Sequence, residues 1–239
     1  MVSSANAGGA ARTASVTTAG DSSGTSAAAS RTACVIVDYD AGNLRSVQRA
    51  LAEVGVQAQL SADPQVLARA DRIVFPGVGA AGSAMRTLRE RGLDTALRDA
   101  FAAGTPILGI CLGLQISLAH SEENDTLTLG LVAGEVRRFR VRDPRLKVPH
   151  MGWNEVRVTR PHPVLAGLTP GDECYFVHAY YPDPADSAVE LARADYDGEF
   201  VCALGLRNYI ATQFHAEKSG RIGLDLLARF VRWDGQHAE

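Results

Sequence analysis

Pro106-Ile107-Leu108-Gly109-Ile110-Cys111-Leu112-Gly113 is the stretch on which the fold turns. Pro106 to Ile110 is a short, continuously apolar run, as expected of a central strand buried on both faces of a parallel sheet. It leads straight into an amphipathic stretch, Leu112 to Ala119, so a strand runs directly into a helix. The intervening Gly109-Ile110-Cys111-Leu112-Gly113 has the form G-x-C-x-G. In that context it reads as a nucleophile elbow, a tight strained turn that holds the central side chain out of the sheet, with glycines on either side to permit it. By itself the same pattern also describes a small buried cysteine in a glycine-rich turn.

Working outward, the strand-to-helix rhythm repeats. Cys34 to Val37 reads as a strand, and Leu44, Val47, Leu51 and Val54 mark the apolar face of a helix over 43–54. Ile73 to Phe75 reads as a strand ending in Pro76-Gly77-Val78-Gly79, followed by one helix over 80–102. Beyond Glu122 the rhythm changes to strands at 132–141, 154–159, 173–181, 189–196, 200–206 and 209–214, before a last helix over 219–233. The expected architecture is α/β: an open, mostly parallel sheet flanked by helices, flavodoxin-like at its core, with added antiparallel strands.

The 239 residues are 46% hydrophobic and 21% charged, with 24 basic against 27 acidic side chains. That slightly acidic balance argues against a dedicated nucleic-acid binder, which needs a basic surplus. No segment approaches the roughly 18 apolar residues that cross a bilayer. The four cysteines, Cys34, Cys111, Cys174 and Cys202, form no C-x-x-C pair and no dense disulfide framework, so a cytoplasmic setting is expected. Residues 1–31 are Ala/Ser/Gly/Thr-rich and carry almost none of the large apolar side chains that offset ordering entropy, which reads as a disordered tail before a domain over 32–239.

A thiol nucleophile at Cys111 needs a base. Of the six histidines, His178 and His215 fall at or near predicted strand ends. His215 has Glu217 two residues on, on the same side of an extended segment, where a carboxylate can orient an imidazole. The pattern therefore favours His215 and leaves His178 open. The loop Pro76-Gly77-Val78-Gly79 is either a second oxyanion donor at the carboxyl end of a strand or an ordinary glycine turn.

Taken together, Pro76-Gly77-Val78-Gly79, Gly109 to Gln115, and Gln213-Phe214-His215-Ala216-Glu217-Lys218-Ser219 resemble the class I, triad-type glutamine amidotransferases. Pro149-His150-Met151-Gly152-Trp153-Asn154-Glu155 and Tyr175-Phe176-Val177-His178 narrow the resemblance to the glutaminase subunits of imidazole glycerol phosphate synthases, in histidine biosynthesis. The resemblance implies Cys111 as nucleophile, His215 as base and acid, and Glu217 as its orienter. It puts the oxyanion donors at the amides of Leu112 and, after a peptide reorientation, Val78, with Gly79, Gln115 and Tyr180 at the glutamine. It implies no metal or organic cofactor. It also implies a heterodimer with a (β/α)8-barrel cyclase subunit that consumes the ammonia, contacted through Asn43, Trp153 and Lys218. The basic run Arg137, Arg138, Arg140, Arg142, Arg145 and Lys147 is either a further contact or a solvated hairpin face. Three positions depart from the family pattern: Asp40 replaces a glycine, Ala179 a serine, and Ala216 the proline between His and Glu. Other readings are a glutaminase domain serving a different synthase, a free-standing cysteine hydrolase, and a non-catalytic scaffold.

Overall fold

The computed structural model describes residues 34–236. The stretch read as a disordered tail lies outside the described residues. Chain order begins with β1 (Val35–Val37), α1 (Leu44–Glu53), β2 (Gln59–Ser61), α2 (Pro64–Ala68), β3 (Ile73–Gly77), α3 (Ala81–Glu90), α4 (Leu93–Ala102), β4 (Ile107–Cys111) and α5 (Leu112–Gln115). Then follow β5 (His120–Ser121), β6 (Thr126–Leu127), β7 (Gly134–Arg138), β8 (His150–Glu155), β9 (Arg157–Val158), β10 (Glu173–His178), β11 (Tyr180–Pro184), β12 (Glu190–Asp195), β13 (Glu199–Leu206), β14 (Tyr209–Thr212) and α6 (Gly220–Arg232).

The main sheet runs β2-β1-β3-β4-β14-β13-β12-β9. The pairings from β2 through to β14 are parallel, and those beyond β14 are antiparallel. This is the expected α/β architecture, with the apolar stretch 107–110 at its centre. Alternation along the strands divides two cores. Val35, Val37 and Ile107 face a layer holding Leu67, Met85, Leu88 and Leu97. Ile36, Leu108 and Ile110 face α1 and α6 through Val47, Leu51, Leu227 and Phe230. Each buried leucine or phenylalanine contributes about 1.5–3 kcal/mol of burial, so both faces of the sheet are anchored.

Several boundaries differ from expectation. The single helix over 80–102 is two, because Gly92 at φ 68 turns the chain between α3 and α4. Its apolar period continues across the break, which hid it. The single strand over 173–181 is also two, β10 and β11, and these belong to different sheets. β8 begins at His150, ahead of the expected 154, and β2 and α2 carried too few apolar residues to be read at all. The helix after Cys111 is one turn long; Ile116 to Ala119 continue as turns.

Candidate active site

Parallel register brings the site together. β4 lies between β3 and β14, with Gly77 opposite Cys111 on one side and Thr212 opposite Ile110 on the other. The chain leaving β3 and the chain leaving β14 therefore both emerge beside Cys111, at the carboxyl edge where ligands bind in open α/β sheets.

Cys111 itself carries the strain, at φ 54 and ψ −106, far from the ordinary regions for a side chain with a Cβ. The flanking glycines serve close approach instead of the turn. A Cβ on Gly109 would lie 2.3 Å from the Tyr209 hydroxyl, and one on Gly113 would lie 1.9 Å from the Phe75 carbonyl oxygen. The Tyr209 hydroxyl then donates to the Gly113 carbonyl at 3.0 Å, locking the elbow to β14. Since α5 has only four residues, it sums few peptide dipoles, and the helix dipole lends little to a thiolate here.

His215 and Glu217 sit on the turn after β14. The His215 Nδ1–H donates to Glu217 Oε1 at 2.7 Å, and both side chains are buried. Burial pushes the imidazole down, but the neighbouring Cys111 and Glu217 outweigh it and hold its pKa up at about 10. Among the described residues Nε2 has no hydrogen-bond partner, so Cys111 acts on it through charge and proximity rather than through a fully formed hydrogen bond. Gln213 Nε2 approaches Cys111 Sγ at 3.7 Å. The backbone of His215 is tied to β10, its N–H donating to the Tyr175 carbonyl at 2.9 Å. The Ser219 hydroxyl completes that tie, donating to the His215 carbonyl at 2.7 Å and accepting from the Tyr175 N–H at 3.0 Å.

A cleft of about 390 Å³ opens over Cys111, lined by Val78, Gly79, Leu112, Gln115, Glu123, Pro149, Val177, His178, Ala179 and Tyr180. Gln115 Nε2 donates to the Tyr180 carbonyl at 2.8 Å and to Gln213 Oε1 at 3.1 Å. The loop Pro76-Gly77-Val78-Gly79 leaves the end of β3 at the mouth of this cleft. Only Gly79 has a positive φ, 101, with nothing near a Cβ there. A Cβ on Gly77 would instead meet the Tyr39 hydroxyl at 1.9 Å, so Gly77 is a packing requirement. Val78, between them, is 36% exposed.

The sequence pattern of the glutamine amidotransferase class-I family matches residues 35–232. The chain belongs to that family. An "Imidazole glycerol phosphate synthase subunit HisH" of Chromobacterium violaceum is 47% identical to it over 207 residues, spanning 84% of this chain and 97% of that protein. The HisH subunit of Nitratidesulfovibrio vulgaris is 50% identical over 203 residues, spanning 83% and 95%. Among solved structures, PurLQS from Thermotoga maritima shares the fold at a TM-score of 0.66 and 17% identity, covering 84% of this chain and 98% of that one. A crystal structure titled glutamine amidotransferase does so at 0.62 and 21%, covering 81% and 98%.

In this amidotransferase the other histidine candidate, His178, lies on β10. Its Nδ1–H donates to the Tyr180 carbonyl at 2.7 Å, and its Nε2 meets His150 Nδ1 at 3.2 Å. Burial, reinforced by the charges of His150 and His215, lowers His178 to about 3 despite the Tyr180 hydrogen bond. Of the three residues expected at a partner, Trp153 is 54% exposed and packs edge-on to Tyr175 at 6.1 Å. Lys218 holds its Nζ 5.6 Å from the same ring. The side-chain amide of Asn43 donates to Glu217 Oε1. In the basic run, Arg137 pairs with Asp183 at 2.5 Å, Arg140 approaches Glu122 at 3.8 Å and Arg145 pairs with Asp143 at 2.7 Å.

The family departures are absorbed locally. Asp40 holds the positive φ, 65, that a glycine would supply, and pairs with Arg91. Ala216 leaves the His215–Glu217 contact formed, and Ala179 lines the cleft. Sequence reading missed Glu123, Gln213 and Tyr175. Gln213 and Tyr175 stood inside motifs already singled out. Glu123 carried no local signal beyond a pair of acids after a turn.

Proposed function

We propose that this chain is the glutaminase subunit of an imidazole glycerol phosphate synthase, hydrolysing glutamine to glutamate and ammonia for a cyclase subunit. The observation that carries the reading is the strained Cys111 beside an imidazole whose Nδ1–H is fixed on Glu217 at 2.7 Å, at the foot of one cleft. Cys111 reacts as its thiolate, the nucleophilic form of a thiol, beside an imidazole that its neighbours hold protonated across neutral pH. The thiolate attacks the side-chain carbonyl carbon of glutamine, and the negative charge passes to its oxygen, met by the amides of Leu112 and of a reoriented Val78. His215 gives its Nε2 proton to the departing nitrogen as the C–N bond breaks, leaving a γ-glutamyl thioester and ammonia. Water, deprotonated by His215, then cleaves the thioester and restores the thiolate.

Substrate selection follows from the cleft. Glu123 is the one carboxylate among its lining residues, suited to the α-ammonium group of an amino acid, and Gly79, Gln115 and Tyr180 line the same walls. Gln115 has both amide hydrogens committed, so its carbonyl oxygen is what it offers a ligand. The exposed Met151 and Trp153, with Tyr175 and Lys218 beside them, form the face we assign to the (β/α)8-barrel cyclase, and no residue is assigned to a metal or organic cofactor. We place the reaction in the cytosol, where its four free, buried cysteines stay reduced.

The deciding experiment measures imidazole glycerol phosphate made by the assembled synthase from glutamine and, separately, from ammonium salts. Cys111→Ser is expected to abolish the first and leave the second nearly intact. Loss of both would make Cys111 a structural residue and reject the assignment.

A further inference from the structure

We propose that Asn43 is a positioning residue for the glutaminase reaction, its side-chain amide holding the carboxylate of Glu217 in the orientation His215 requires. The inference rests on the glutaminase reading above and extends it to a residue distant in sequence.

Asn43 stands at the start of α1, where an asparagine side chain ordinarily caps the free N–H groups of the first turn. Here it caps nothing. Its backbone is left-handed, at φ 73 and ψ 2, and no side-chain hydrogen bond is made to the helix. The first turn of α1 carries no acidic residue to compensate. Two local costs, a positive φ and an uncapped helix end, are thus accepted at one residue. What the conformation achieves is a hydrogen bond from Nδ2 to Glu217 Oε1, across 174 positions of sequence.

That bond falls on the oxygen that matters. Oε1 also accepts from His215 Nδ1, while Glu217 Oε2 has no partner among the described residues and the side chain is fully buried. With two donors on one oxygen, the carboxylate cannot pivot to offer Oε2 to the imidazole without breaking both contacts. Asn43 is also neutral. It donates to the carboxylate without cancelling its charge, so the negative charge remains directed at His215, as a lysine or arginine in its place would not allow. The other charged groups around Glu217 are His215 and Lys218 on its own turn, and Arg49 and Glu53 of α1 at the opening behind it.

The test uses the full chain assembled with its cyclase subunit at saturating concentration, reading glutamate release and partner affinity. Asn43→Gly removes the amide while tolerating the positive φ, and Asn43→Asp replaces the donor with a second carboxylate. Asn43→Gly is expected to lower kcat about 10- to 100-fold, as loss of an outer supporting partner does, with KM for glutamine changed less than about 2-fold. Combined with Glu217→Gln, it should cost no more than about 3-fold further, because the group it positions is already impaired. Asn43→Asp should lower kcat at least as far as Asn43→Gly, because a second carboxylate cannot donate to Glu217 and repels it. Full additivity with Glu217→Gln would overturn the proposal, as would an effect confined to partner affinity or to KM. Glutamine-dependent turnover persisting in Cys111→Ser rejects the underlying glutaminase reading instead, so the two failures are distinguishable.

Discussion

The turn after β14 and the ribbon of β8 and β10 each bury a paired histidine beside the same cleft, and the two pairs behave oppositely. His215 is held up at about 10, whereas His178 falls to about 3 and its neighbour His150 to about 4. Burial lowers the pKa in all three. What reverses it at His215 is negative charge, from Glu217 on one ring nitrogen and Cys111 near the other. His178 meets a backbone carbonyl and a second imidazole, neither of which supplies a charge to balance a proton. Burial decides that an imidazole is perturbed, and its partner decides the direction. We therefore assign proton transfer to the first region, while the second stays neutral and fills the ribbon, where His150 stacks between Phe176 and Tyr196.

The largest expected effect separates the two directly. His215→Asn should lower glutamate release by the complex by roughly 10⁴-fold or more, as removal of a triad base does, while His178→Asn should lower it less than about 10-fold. Equal damage from the two substitutions would erase the distinction. Glu217→Gln should follow, at about 10²- to 10⁴-fold, because the orienting group transfers no proton itself. The same substitution should bring His215 down from about 10, read as a ring-proton titration by NMR. An unmoved titration would mean that Glu217 does not set the charge of the imidazole.

His178→Asn should show its main effect on stability, about 1–3 kcal/mol in denaturant unfolding, from broken buried hydrogen bonds. The smallest effect is on the pH dependence of stability. His150 and His178 have depressed pKa values, so below about 6.5 the unfolded chain takes up protons that the folded chain refuses, and stability falls as pH drops toward 4 and then 3. His215 has the opposite sign: its contribution is whole below about 6.5 and is lost as pH rises toward 10. His178→Asn should accordingly flatten the acid limb of the stability curve and Glu217→Gln the alkaline limb. The reverse assignment of limbs would show the two regions misread.

Local order determined much of this. The apolar run into Gly109-Ile110-Cys111-Leu112-Gly113, the spacing of His215 and Glu217, and the change of rhythm after Glu122 each depend on residues close in sequence, so the α/β class and the grouping of Cys111, His215 and Glu217 as candidates were legible from the chain alone. Whether a glycine serves a turn or a close approach was not legible. That depends on what lies opposite: the Tyr39 hydroxyl at Gly77, the Tyr209 hydroxyl at Gly109 and the Phe75 carbonyl at Gly113. The break at Gly92 was masked because an apolar period can persist through a change of axis. The role of Asn43 was hidden for the same kind of reason. An asparagine before a helix reads as a cap, and only the packing of α1 against the turn after β14 gives its amide a carboxylate 174 residues away to hold. Sequence fixes which groups are available and which neighbours share a face; hydrogen bonds across parallel strands and between distant loops depend on three-dimensional register, and short-range pattern carries no record of it.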